Sequence, residues 1–113
     1  IHIPLWHASV DRLRRLAPER LLLTHFGPVE EDAQTHLDRV DAQLDAYADF
    51  FRSRWQAGQS TDEMTVAYRD WVADQARADG CDEDTVHRLE VVVPSYMQAA
   101  GMVRYFRKHE SGE

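Results

Sequence analysis

Cysteine is almost absent from this chain: Cys81 stands alone among 113 residues. No intrachain disulfide can form, and nothing in the cysteine usage points to an oxidising compartment. Long apolar runs are missing too, since none approaches the ~20 residues that span a bilayer. No secretory signal pattern is visible. These absences lead us to expect a cytoplasmic protein without a membrane segment. Cations are also scarce, with 13 Lys and Arg against 20 Asp and Glu and a formal charge of -7. Binding nucleic acid requires a surplus of positive charge to neutralise phosphates, so that partner class is excluded.

What is present reads as soluble and mostly helical. Hydrophobic residues at 43% and charged residues at 29% are ordinary for a globular chain. The length allows one modest core. In "ASVDRLRRLA", Val10, Leu13 and Leu16 recur at helical spacing, with Ser9 or Asp11 near the start and Pro18 as the stop. From about Glu31 to Ala57, Leu37, Val40, Leu44, Tyr47, Phe51 and Trp55 form one apolar stripe, closed by Gly58. "STDE" at 60–63 is a capping box that opens a helix with Met64, Tyr68, Trp71 and Val72 on one side. Asp82 caps the next helix, whose inward positions are Val86, Leu89 and Val93. Pro94 breaks it, and Met97, Ala100, Val103 and Phe106 resume the period. A bundle of three or four helices follows, with Leu44, Phe51, Trp55, Trp71, Leu89 and Phe106 inside.

One segment departs from this pattern. Residues 20–25 are a continuous apolar run between Pro-Glu and Phe-Gly-Pro, which favours a short buried strand. A lone strand leaves both edges unpaired, and no other segment reads convincingly as its partner. The chain also opens at Ile1 without a methionine. The expectation is therefore that the partner strands lie in upstream sequence, and that the uncovered leucines drive the chain to self-associate.

"LWHASVDRLRRLAPERLLLTHFGP", from Leu5 to Pro28, resembles the last part of a metallo-β-lactamase-fold hydrolase. The elements that carry the likeness are the helix from Ser9 to Leu16, the Pro18-Glu19 turn, the strand Leu21 to Leu23, and the Thr24-His25-Phe26-Gly27 corner. The resemblance implies an αββα sandwich ending within residues 1–30, one helix-then-strand unit of which is visible. Residues 31–113 would then be a helical C-terminal extension. It further implies two zinc ions in the parent site, with iron or manganese as other occupants, and a small-molecule substrate. The family's HxHxDH motif appears nowhere in this chain, so most ligands and all other catalytic groups would belong to an upstream domain.

In that reading His25 is the final metal ligand. A ligand imidazole must be neutral and fixed in orientation, and Gly27 would let the backbone turn sharply beside it. Two ions sharing a bridging hydroxide lower its pKa and polarise the bond to be broken. The other histidines, His2, His7, His36, His87 and His109, read as structural or solvated. The acidic stretch Glu30, Glu31, Asp32, Asp38, Asp41, Asp45 and Asp49 reads as a solvated helix face. No cofactor-binding motif and no nucleophile arrangement is visible, because the serines lack a paired His and acid. The alternative is a non-enzymatic helical domain that dimerises through its Leu, Phe and Trp stripes.

Overall fold

The computed structural model describes residues 1–110 and is mainly helical. Among the described residues the elements run α1 (Ile3–Arg15), β1 (Leu22–Leu23), β2 (Gly27–Pro28), α2 (Ala33–Gln56), α3 (Thr61–Ala78), α4 (Glu83–Val92) and α5 (Ser95–His109). They divide into two compact units, Ile1–Ala48 and Asp49–Glu113.

In the first unit, α1 starts earlier than Ser9 or Asp11 would suggest. Its cap is His2, whose Nδ1 accepts from the Leu5 amide at 3.3 Å. Pro4 sits in the first turn, where a missing N–H costs nothing. Arg12, Arg14 and Arg15 gather in the last turn, where the helix dipole favours cations. Only Ile3 and Val10 of α1 are buried, and α2 adds Ala33, Leu37, Leu44 and Ala48 to the buried set of this unit.

The strand expected at residues 20–25 is not an orphan. Leu22 pairs with Pro28 and Leu23 with Gly27 in a two-residue antiparallel hairpin. The partner was hidden because "GP" carries none of the β-branched or aromatic signal that marks a strand. Nor is the strand buried: Leu22 is 71% exposed and Leu23 is exposed too.

In the second unit, the last turns of α2 meet α3 and α5 around Phe50, Phe51, Met64, Ala76, Ala99, Met102, Val103 and Phe106, all buried. Aromatic rings tie the elements together, with Phe50 stacked on Trp71 at 4.9 Å and Phe51 against Tyr68 at 4.9 Å. The Ser60–Glu63 capping box is formed in both directions. Asp82 caps α4 through the Thr85 amide, and the bonds from that residue hold its carboxyl below the usual range.

Two stripes differ from the sequence expectation. α4 has no buried residue, and Leu89 is 38% exposed rather than inside. On α5 the inward face is Ser95, Ala99, Met102, Val103 and Phe106, which leaves Met97 outside. The buried Ser95 is satisfied there: its amide donates to Glu90 at 3.0 Å and its hydroxyl to the same carboxylate. Trp55 and Trp71 are half-buried.

Phe106→Ala should therefore lower stability by roughly 3–5 kcal/mol, whereas Leu89→Ala should cost less than about 1 kcal/mol. Urea unfolding of the two variants checks this. Equal losses would place Leu89 in the core.

Candidate functional site

His25 lies in the turn between β1 and β2. The Phe26 amide donates to the Leu23 carbonyl at 3.1 Å, closing the turn around Thr24 and His25. His25 takes φ 72, and Gly27 follows at φ 84. Glycine adopts the left-handed region freely, but a side chain there costs roughly 1–2 kcal/mol. The imidazole is exposed at this corner, and Phe26 beside it is 82% exposed. The corner thus presents one histidine framed by Leu22, Leu23 and Phe26, all reaching solvent.

Zinc takes three or four protein ligands. Among the described residues no group of three His, Cys, Asp or Glu side chains is placed to hold a metal ion. His25 supplies one donor, and among the described residues no others are gathered beside it to complete a metal centre. Sequence reading expected a buried strand end to orient that imidazole; a strained, exposed turn orients it instead.

The second arrangement of chemical interest was not anticipated. On α1, His7 places Nδ1 2.8 Å from Asp41 and Nε2 3.0 Å from Asp45 of α2. One α1 turn pair further on, Arg14 reaches Asp11 at 2.9 Å, Asp38 at 2.8 Å and Asp41. The hydrogen bond to Asp41 is the main reason the His7 pKa rises above 6.5, against the opposing effect of burial. Burial pushes Asp41 upward, but the bonds from His7 and Arg14 outweigh it and hold its carboxyl low. The acidic face is solvated at Asp38 and Asp45, whose side chains are 71% and 70% exposed, while Asp41 is drawn in beside α1. A signal was available: His7 and Arg14 stand seven residues apart, matching the interval from Asp38 to Asp45.

His36 binds Glu31 at 2.8 Å, which agrees with its structural reading. In the second unit, α3 and α4 border a groove of about 890 Å³ lined by Tyr68, Val72, Val86, Leu89 and Glu90 among others. No helix among the described residues is long and apolar enough to cross a membrane. No known protein family, curated protein or solved structure matches this chain.

If His25 is held in its turn only by the chain's path, glycine should serve the fold equally well. His25→Gly should change stability by no more than about 1 kcal/mol in either direction. Thermal unfolding reads this directly, and a larger loss would make the imidazole a structural group.

Proposed function

We propose that this chain is the C-terminal part of a metal-dependent hydrolase of the metallo-β-lactamase superfamily, with His25 as the last metal ligand. The observation that carries the reading is the left-handed, exposed histidine at the hairpin corner. Backbone strain of this kind gathers at functional sites, and nothing in the hairpin requires an imidazole there. The sequence likeness from Leu5 to Pro28 supports the same assignment. The remaining ligands, and the substrate-binding groups, belong to an upstream catalytic domain. Leu22, Leu23 and Phe26 would pack against that domain, and α2 to α5 would shape the active-site mouth or a subunit interface.

The test is metal analysis and turnover of a protein carrying both parts. His25→Ala should lose about one of two metal equivalents and cut turnover by about a hundredfold or more, the scale of a lost ligand or its support. Near-normal metal content and activity would remove His25 from the site. The present chain alone should bind zinc poorly, showing no saturable site in titration calorimetry, and should hydrolyse nothing.

A second reading is a helical interaction domain. Its specific support is the exposed run around Pro94, where Val92 is 72% exposed and Val91, Val93, Tyr96 and Met97 are also open to solvent. Contiguous apolar exposure of this sort marks an interaction surface.

Both readings lead us to expect self-association of the isolated chain, from different faces. Under the hydrolase reading Leu22→Asp should abolish it, because the hairpin is the sticky edge. Under the interaction reading Val92→Asp should do so. Sedimentation across a concentration series distinguishes them, and a strictly monomeric parent chain would count against both.

A further inference from the structure

We propose that His7 is a proton-operated latch, in which an imidazolium bridging Asp41 and Asp45 holds the first turns of α1 on α2 and lets them go when it loses its proton. The geometry carries the idea. Both ring nitrogens face a carboxylate oxygen, at 2.8 Å and 3.0 Å. An imidazolium donates from both nitrogens, whereas neutral imidazole keeps one N–H and turns a lone pair towards the other carboxylate. The bridge is therefore satisfied in one protonation state and half repelled in the other.

The surroundings reinforce this. The groups facing the latch are Asp41, Asp45 and Asp38 on α2, with Asp11 and Arg14 on α1 itself. Arg14 stays charged at every relevant pH and keeps its hold on Asp38 and Asp41. It acts as a pivot, so loss of the His7 proton frees the N-terminal half of α1 rather than the whole helix. The latch acts beside a small apolar contact. Ile3 and Val10 are its buried side chains, while Leu5 and Trp6 are exposed.

The sign follows from the direction of the shift. His7 titrates above 6.5 in the folded chain, so its contribution is complete below that value. The contribution fades as pH rises through the folded pKa. Asp41, held low, stays ionised throughout. The latch is closed in mildly acidic solution and opens towards alkaline pH, uncovering Ile3 and the α2 face beneath. It does not depend on the assignment of His25.

The experiment uses the full chain, followed by NMR from roughly pH 5 to 9, a range that brackets histidine titration. The His7 ring resonances should titrate with a midpoint above 6.5. Over the same range, amide protection factors of α1, corrected for intrinsic exchange, should fall by about tenfold for each unit of pKa elevation. In His7→Gln, α1 should show low protection that no longer varies with pH. Asp45→Asn, altering an exposed carboxylate, should leave the fold intact and move the His7 midpoint down. A His7 midpoint at or below 6.5 would overturn the proposal. So would a midpoint unmoved in Asp45→Asn, or an unchanged pH dependence of α1 protection in His7→Gln.

Discussion

The position of α1 rests on charge as well as on apolar contact. Ile3 and Val10 of α1 are buried in the same unit as Ala33, Leu37, Leu44 and Ala48 of α2, and beside them two cations, His7 and Arg14, are set against three carboxylates on one face of α2. Surface ion pairs taken singly contribute little. Here they form a network with shared members, and Asp41 accepts from both cations.

The helical outline was legible where local chemistry is strong. The Ser60 capping box, the Asp82 cap, the Gly58 stop and the Pro94 break all act within a few residues, and all appear where expected. Tertiary choices were harder to see. Apolar spacing on α4 places Val86, Leu89 and Val93 inward, but only Val86 is half-buried while Leu89 and Val93 are exposed. On α5 Val103 and Phe106 face inward as their spacing suggests, while Met97 and Ala100 are exposed and Ser95, bonded to Glu90, is buried in the first turn. Periodicity reports that a face exists; which face is chosen depends on partners beyond the window.

The site divides in the same way. His25 was conspicuous because it interrupts a strand-like run, yet its left-handed backbone is a property of the turn that no spacing rule reveals. His7 was passed over because its partners lie more than thirty residues along the chain. A histidine facing two carboxylates is a property of the fold, and only complementary charge intervals on two helices hinted at it.

The clasp between Glu90 and Ser95 has a consequence for how α3 and α4 can vary. α4 is joined to its neighbours at its ends, by Arg77 on Glu83 at 2.7 Å and by the Glu90 carboxylate on Ser95. Between those ends Val86 is half-buried and the remaining side chains are exposed. The outer wall of the groove can therefore change its residues while the Phe51, Met64 and Phe106 interior stays untouched. A lineage could diversify what this wall meets without re-solving the packing beneath it, as loops on a rigid scaffold do, but with a helix in place of a loop.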